Sequence, residues 1–280
     1  MREVNVRDIQ KTVKDLCIKA NVVLRPDILR ALRSAFRLER NAKAKKILKA
    51  LLENAAAAKR QKMAICQDTG MVAAYIETGE DTRIVGGSLE NAINKGVAAA
   101  YRKGYFRKSV VKDPFIRINT KDNTPCVLYA KLIKGNRVKI TISLRGFGSE
   151  NKGKVKMFDP TASTGEIKNF IIGVVKDAGP DACPPYLIGV GIGGTLDKSA
   201  ALAKEAILRS LNKRNKLLHI AKLEKELLSD INKLKIGPMG LGGKTTALGV
   251  NILAYPTHIA GMPVAVSIGC HATRNATKII

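Results

Sequence analysis

The chain has 280 residues, of which 45% are hydrophobic, and it carries a formal net charge of +26 at pH 7. This length and composition can fill a sizeable core, which excludes an intrinsically disordered protein. The apolar runs are far shorter than the roughly 20 residues of a membrane span, and the first thirty residues are charged throughout. We therefore expect a cytoplasmic protein with neither a membrane segment nor a secretory signal.

The N-terminal part has helical periodicity. From residue 7 to about residue 60, apolar residues recur at intervals of three and four between Lys and Arg. Pro26 suits the first turn of one helix, because its fixed φ matches the helix and its missing N–H would have no partner there. We expect a helical N-terminal layer over residues 1–60.

Residues 61–280 show a mixed pattern of strands and helices. The predicted strands are 71–77, 127–133, 137–144, 186–190, 247–255 and 264–268, and the predicted helices are 88–103, 163–177, 198–211 and 216–234. Gly135-Asn136 predicts a β-hairpin between two of the strands. The fold class predicted is α/β, with mixed sheets and surrounding helices, in a single domain of residues 1–280.

Two glycine-rich segments resemble nucleotide-binding motifs without matching them. Residues 189–194 read GxGxxG, but the acidic residue expected about 20 positions later is missing. Residues 237–246, GPMGLGGKTT, would need glycine where Pro238 stands to form a P-loop with Lys244. We interpret the first segment as tight packing of a strand against a helix, and the second as a turn able to hold an anion or a carboxylate.

The five cysteines are an odd number with no CxxC pair, which argues against a disulfide framework and a zinc ribbon. Cys66, Cys183 and Cys270 fall in polar loops rich in Gly or Pro, whereas Cys17 and Cys126 fall on a predicted helix and strand. Three thiolates can bind three irons of a [4Fe–4S] cluster and leave the fourth iron open. An open iron is a Lewis acid, able to bind the oxygens of a hydroxy acid and to help hydroxide leave.

Nine short blocks, in order and nearly from end to end, carry a resemblance to a known family. They are CQDTG, GYFRKSVVKDP, DNTP, GSENK, GPDACPP, GVGIGGT, LGGKTTALGVN, YPTHIAGMPVAV and CHATR. The series resembles the α subunit of the two-subunit class I fumarases and the related tartrate dehydratases. Larger single-chain members of the family carry a further domain that corresponds to the β subunit. We expect this chain to be the cluster-binding half of a heteromeric hydro-lyase.

The resemblance implies the ligands and the catalytic pair. In the family the cysteines of CQDTG, of the CPP segment and of CHATR bind a [4Fe–4S] cluster, which implies Cys66, Cys183 and Cys270 here. The aspartate of CQDTG and the histidine of YPTHIA handle protons, which implies Asp68 and His258 as catalytic residues. A carboxylate beside an imidazole can orient it and tune its pKa toward neutrality.

The resemblance also implies how substrate is bound. The implied substrate-binding residues are Gln67, Asp68, Arg107, Gly146 and Gly148. An arginine such as Arg107 can hold a carboxylate through two parallel hydrogen bonds. The chain departs from the family's KGGGSEN pattern, because Arg145 and Phe147 replace its lysine and middle glycine. His271 and Arg274 are expected to support the cluster loop rather than touch substrate.

The implied reaction is the reversible hydration of fumarate to (S)-malate, a step of the tricarboxylic acid cycle, with the open iron as Lewis acid. In the family the β domain supplies the base and several substrate-binding cations. We therefore expect an αβ heterodimer or an α2β2 assembly, and poor turnover by this chain alone.

Two other functions stay open from the sequence. A tartrate dehydratase α subunit would have the same cluster and architecture. A nucleic-acid-binding protein is suggested by the +26 charge, but aromatic residues are only 4%, Trp is absent and Lys is spread along the whole chain. A basic surface that complements an acidic β subunit accounts for the charge as well.

Overall fold

The computed structural model describes residues 1–280. Its helices are α1 (Val6–Val22), α2 (Pro26–Leu38), α3 (Ala42–Gln61), α4 (Leu89–Lys103), α5 (Phe147–Glu150), α6 (Thr164–Ala178), α7 (Leu196–Leu208) and α8 (Leu218–Lys233). Its strands are β1 (Arg2–Asn5), β2 (Met71–Gly79), β3 (Thr82–Val85), β4 (Val127–Ile133), β5 (Val138–Arg145), β6 (Lys154–Phe158), β7 (Tyr186–Ile192), β8 (Ala247–Ala254), β9 (Met262–Gly269) and β10 (Arg274–Ile279). None of the eight helices combines the length and apolar character that a membrane span requires.

The chain forms two compact units. The first consists of Met1–Arg25, Asn54–Phe147 and Arg274–Ile280, and the second of Pro26–Glu53 and Gly148–Thr273. The helices predicted before residue 60 are present, with α1 in the first unit and α2 in the second. The expectation of a single domain with an N-terminal layer stays a prediction.

The first unit contains a four-stranded sheet in the order β10-β5-β2-β4, together with the parallel pair β1-β3. Helix α1 packs against α4, β5 and β10. Its apolar face is fully buried at Ile9, Val13 and Cys17, as the spacing of three and four residues predicts. The Ser88 side chain accepts the backbone N–H of Asn91 and caps the N-terminus of α4.

The predicted hairpin between β4 and β5 is wrong. Both strands exist, but β2 lies between them, parallel to β4 and antiparallel to β5. The turn at Gly135 instead crosses the end of β2, where its carbonyl accepts the N–H of Asp81 at 3.0 Å. Strand β2 is largely buried along its length and satisfies backbone groups of both neighbours at once, which a two-stranded hairpin cannot do.

The second unit contains a sheet in the order β6-β9-β7-β8. Helix α7 packs on β7, β8 and β9, and α8 packs on β8 and on α6. A capping box begins α6, in which Ser163 and Glu166 satisfy each other's backbone N–H groups. Strand β7 is buried at every position from Tyr186 to Gly191, as expected of a strand covered on both faces.

The GxGxxG segment serves the packing of β7 against α7. A side-chain carbon at Gly189 would lie 2.1 Å from the Ala203 carbonyl oxygen, and one at Gly191 would lie 2.0 Å from the Ser199 carbonyl oxygen. Only glycine permits so close an approach of helix to strand. The interpretation of this segment as tight packing is confirmed.

The prediction of an α/β fold with mixed sheets is confirmed. Four short strands, β1, β3, β6 and β10, were not predicted. Strand β10 reads RNATKI and pairs only with β5, so it lies at an edge with polar residues along it. A short polar edge strand lacks the alternation of apolar residues that identifies strands in a sequence.

Candidate functional site

The CQDTG segment, residues 66–70, forms a fixed loop between α3 and β2 in the first unit. The buried hydroxyl of Tyr101 donates to the carbonyl oxygens of Thr69 at 2.7 Å and Gly70 at 2.9 Å. Gly70 has φ +81, and a side-chain carbon there would meet the backbone of Arg145 at 2.9 Å. The loop therefore requires glycine at its end and is held to α4 by a tyrosine.

The Asp68 carboxylate is fixed by two backbone donors. Oδ1 accepts the N–H of Gly70 at 3.0 Å, and Oδ2 accepts the N–H of Phe147 at 2.7 Å. The absence of a side chain at Gly146 provides space for the Asp68 carboxylate. A side-chain carbon there would lie 3.2 Å from Asp68 Oδ2 and 3.4 Å from Arg274 Nη2. The glycine-rich loop thus orients Asp68, and the N–H at position 147 is already engaged despite the bulk of the phenylalanine.

Two predicted substrate-binding residues lie on this same part of the first unit. Gln67 is exposed, and its Oε1 accepts from Cys66 Sγ at 3.3 Å. Arg107 has an exposed side chain, while its carbonyl oxygen accepts the Thr69 hydroxyl at 2.6 Å. The backbone that carries Arg107 is therefore tied to the CQDTG loop.

Sequence reasoning missed a residue that joins these segments. Asn123 is fully buried and has φ +66. Its Oδ1 accepts the N–H of Ser109 at 2.8 Å, and its Nδ2 donates to the Gly70 carbonyl at 3.1 Å. Asparagine before Thr-Pro in the DNTP block is a signal for such a conformation, since Asn tolerates positive φ and bonds to nearby backbone.

Cys183 and Cys270 lie in the second unit, and one histidine links their loops. The Cys183 carbonyl oxygen accepts the backbone N–H of His271 at 3.2 Å, and His271 Nδ1 lies 3.2 Å from the same oxygen. Cys183 has φ +55, and its own N–H donates to the Pro180 carbonyl at 3.1 Å. Burial raises the pKa of Tyr186, and the nearby Cys183 and Cys270 add to the effect.

None of the five cysteines is in a disulfide, and Cys66, Cys126, Cys183 and Cys270 are partly exposed. Cys17 is fully buried, and burial strongly raises its pKa. Burial raises the pKa of Cys126 to about 11. Burial therefore disfavours the thiolate form at Cys17 and at Cys126.

His258 lies in the second unit, on an exposed loop after β8. Its Nδ1 accepts the N–H of Ala260 at 3.2 Å, so a neutral imidazole carries its proton on Nε2. The Thr257 hydroxyl bonds to the carbonyl oxygens of Gly194 at 3.2 Å and Gly261 at 3.0 Å, which holds the loop against the end of β7.

The segment around Lys244 binds a carboxylate of the protein itself. Glu39, 2% exposed, accepts the N–H of Lys244 at 2.7 Å and those of Arg40 and Asn41 at 2.9 Å. The interpretation of this turn as a carboxylate holder is confirmed, with Glu39 as the occupant.

The remaining predicted residues are placed as follows. Gly148 lies in the second unit, where a side-chain carbon would lie 3.6 Å from the Asp181 carbonyl oxygen. Arg274 begins β10, is 3% exposed and donates from Nη1 to Asn21 Oδ1 at 3.4 Å. No group of three or more His, Cys, Asp or Glu side chains is arranged to hold a metal ion. In chemical type, the three loop cysteines suit an iron–sulfur cluster, whose usual ligands are thiolates.

A family model described as fumarate hydratase (Fumerase) matches residues 10–279. The match spans nearly the entire sequence. The chain belongs to the fumarate hydratase family. It is thus a member of a hydro-lyase family, which confirms the resemblance carried by the nine blocks.

Relatives within the fumarate hydratase family bear dehydratase names. The chain is 37% identical over 282 residues to a putative L(+)-tartrate dehydratase subunit alpha of Methanocaldococcus jannaschii, covering 97% of each chain. It is 32% identical over 219 residues to an L(+)-tartrate dehydratase subunit alpha of Escherichia coli O157:H7, covering 77% of this chain and 72% of that one.

Proposed function

We propose that the chain is the α subunit of a two-subunit hydro-lyase that hydrates fumarate reversibly to (S)-malate, in the cytoplasm, as a step of the tricarboxylic acid cycle. The observation that carries the proposal is the CQDTG loop, where Cys66 and a doubly anchored Asp68 are fixed next to the backbone of Arg107. Membership of the family supports the class of reaction.

The proposed cofactor is a [4Fe–4S] cluster held by Cys66, Cys183 and Cys270. Such a cluster with three protein ligands supplies a Lewis acid for the oxygens of a hydroxy acid. The raised pKa of Cys17 and of Cys126, caused by burial, supports the assignment because it disfavours their thiolate forms.

The proposed proton-handling pair is Asp68 and His258. Two N–H donors hold the Asp68 carboxylate in one orientation. The Ala260 N–H leaves the neutral His258 ring with its N–H at Nε2, at an exposed position from which it can donate a hydrogen bond to substrate. The structure has Asp68 in the first unit and His258 in the second.

Substrate carboxylates are proposed to bind to the guanidinium of Arg107 and the amide of Gln67, with backbone groups at Gly146 and Gly148. Arg107 offers an exposed fork of donors on a backbone that Thr69 holds in place. Fixing the backbone reduces the entropy lost when the side chain closes on a carboxylate.

The partner is proposed to be a β subunit, in an αβ heterodimer or an α2β2 assembly. Both relatives described above are named as alpha subunits, which supports a second kind of chain. Because the β subunit is expected to supply a base and further cations, the chain alone should turn over negligibly.

A second candidate reaction is the dehydration of L(+)-tartrate. The specific observation that favours it is the name shared by both relatives. Rates on malate and on L(+)-tartrate, measured with the reconstituted α and β chains, decide between the two. A ratio of kcat/KM above about tenfold, or about 1.4 kcal/mol, for one substrate identifies it as preferred.

The test of the cofactor is anaerobic reconstitution with iron and sulfide, followed by iron counting and visible absorption. We expect about four irons per wild-type chain, and loss of the cluster in Cys66→Ala, Cys183→Ala and Cys270→Ala. Cys17→Ala and Cys126→Ala serve as matched controls and should keep their iron. A cluster lost equally from the controls, or absent from the wild type, would refute the assignment.

A further inference from the structure

Residues 108–121, here called the 108–121 loop, form a closed projection from the first unit. Its stem is held by backbone contacts that pair its two sides: the bridge Val111–Asn119, Lys112 N–H to Ile118 O at 2.8 Å, and Thr120 N–H to Val110 O at 2.9 Å. At its tip, Asp113 Oδ1 accepts the N–H groups of Phe115 and Ile116, both at 2.8 Å. The backbone of the loop is therefore ordered before any partner arrives.

The tip of the loop exposes large apolar side chains. Phe115 is 92% exposed, Ile116 is 73% exposed and Ile118 is 58% exposed. Three such residues together on one ordered turn do not serve the core of this chain. Contiguous exposed apolar surface of this kind is typical of a protein–protein contact.

The flanks of the loop are basic. Lys108, Lys112, Arg117 and Lys121 are exposed, and none of them is in an ion pair. The one acidic side chain of the loop, Asp113, is occupied by the N–H groups of the tip, which lower its pKa. The loop therefore complements an apolar pocket with an acidic rim.

Charge and composition decide which partner fits. A second copy of this chain would bring another +26, and like charges oppose that pairing. Nucleic acid would contact the basic flanks through its phosphates, but it offers no apolar partner for the exposed aliphatic side chains of Ile116 and Ile118. A different, acidic protein chain remains as the occupant.

The base of the loop is continuous with the candidate site. Asn123 receives the N–H of Ser109 and donates to the Gly70 carbonyl, and Thr69 donates to the carbonyl of Arg107. Three hydrogen bonds thus join the loop to the segment that carries Asp68. A chain seated on the tip would lie next to a site that needs a second subunit.

We propose that the 108–121 loop is a docking element for the β subunit, which receives Phe115 and Ile116 in an apolar pocket rimmed by acidic residues. This inference rests on the proposed function, because the occupant is the β subunit of the same enzyme. The loop then sets the position of the β subunit relative to Arg107.

The test uses the cluster-loaded chain and the β subunit that restores its turnover. The double variant Phe115→Ser, Ile116→Ser removes the apolar tip, and Leu218→Ser is its control because Leu218 is 72% exposed on α8. We expect the tip variant to bind the β subunit at least tenfold more weakly, with its iron content and thermal midpoint unchanged. Leu218→Ser should bind as the wild type does.

A charge reversal on the loop tests the pairing of its basic flanks with the acidic rim proposed for the β subunit. Lys112→Glu should weaken binding of the β subunit, whereas Lys43→Glu on α3 should not. If the wild-type pair turns over and the tip variant binds no more weakly than the Leu218→Ser control, the docking role is wrong while the proposed function stands. If no cluster forms and no second chain restores turnover, both are wrong. If the tip variant or Lys112→Glu lost binding to random duplex DNA but still bound the β subunit as the wild type does, the docking role would also be wrong.

Discussion

At the scale of single residues, the Asn123 side chain connects two segments of the candidate site, the CQDTG loop and the segment that follows Arg107. Removing it leaves the N–H of Ser109 without its side-chain acceptor and leaves the Gly70 carbonyl with the Tyr101 hydroxyl as its remaining side-chain donor. Glycine tolerates the φ of +66 at this position, so Asn123→Gly isolates the loss of the hydrogen bonds from backbone strain.

We expect Asn123→Gly to lower the free energy of unfolding by about 2 kcal/mol, since it removes two hydrogen bonds that each contribute about 1 kcal/mol. In the αβ enzyme it should raise KM for the dicarboxylate more than it lowers kcat, because the segment after Arg107 loses its tie at Ser109 and only the Thr69 bond to Arg107 remains. Steady-state kinetics and denaturant titration measure both effects. Asn136→Gly, at an exposed turn, is the control, and an unchanged KM in Asn123→Gly would contradict the positioning role.

Glu39 makes stability depend on pH. Burial would raise the pKa of its carboxyl, but the N–H groups of Asn41, Lys244 and Arg40 outweigh burial and hold that pKa below its ordinary value. A lowered pKa in the folded state means that the stabilisation is complete above the ordinary value, about 4.3. It is lost as the pH falls through the lowered pKa.

We therefore expect Glu39→Gln to be less stable than the wild type at pH 7 by about 1–3 kcal/mol, because one backbone N–H then faces the amide nitrogen. The difference should narrow as the pH falls below about 4. Urea denaturation between pH 7 and pH 3 measures it. Glu53→Gln, on the exposed face of α3, should show no such trend. If the stability difference between Glu39→Gln and the wild type widened in acid, the lowered pKa assigned to Glu39 would be wrong.

The residues of the candidate site could be predicted only in part. Cys66 is predicted from its place in a polar loop together with the family resemblance, and Asp68 from the resemblance of the CQDTG block alone. The sequence could not show that the N–H of Phe147 orients Asp68, because 79 positions separate them and a backbone group leaves no mark in a side-chain pattern. Asn123 was missed because both of its hydrogen-bond partners, the Ser109 N–H and the Gly70 carbonyl, are also backbone groups far from it in the sequence.

At the scale of elements, the insertion of β2 between β4 and β5 depends on a glycine. A side-chain carbon at Gly79 would lie 2.1 Å from the Gly135 carbonyl oxygen and 2.8 Å from the Asn136 nitrogen. Both obstacles are backbone atoms, which cannot move aside as a flexible side chain can. The end of β2 and the turn that crosses it must therefore shift if any side chain is added.

We expect Gly79→Ala to destabilise the chain by about 3 kcal/mol, at the upper end of overpacking costs. Gly173→Ala is the matched control, because Gly173 lies within α6 with no atom within 4 Å of the added carbon. It should stabilise by about 0.5–1 kcal/mol through helix propensity. Equal effects of the two substitutions on the denaturation midpoint would contradict the strand order.

Helices and long strands could be predicted from the sequence because their periods are local. Ser88 and Ser163 both cap helices where the sequence places them. Strand pairing was not predictable in the same way, since Gly135-Asn136 is compatible with a hairpin and with a turn around a third strand. What decides between them is the burial of β2, a property of the folded unit rather than of the turn.

At the scale of the whole molecule, the residues predicted for the site are divided between the two units. Cys66, Asp68 and Arg107 belong to the first, and Cys183 and His258 belong to the second. The order of motifs along the chain gives no sign of this, because the first unit is assembled from three separate stretches. A family resemblance supplies the set of residues, whereas the division into units comes only from the fold.

The net charge of +26 gives the last prediction, since it acts over distances longer than any contact in the site. The Debye length falls from about 30 Å at 0.01 M salt to about 8 Å at 0.15 M. If the β subunit is the acidic partner, its association rate should fall by about tenfold or more over this range, while its dissociation rate changes little. Stopped-flow mixing of the two chains measures the rates separately. A dissociation rate that rose while association stayed constant would instead place the charges inside the contact, and the excess of Lys and Arg would then need a role other than steering.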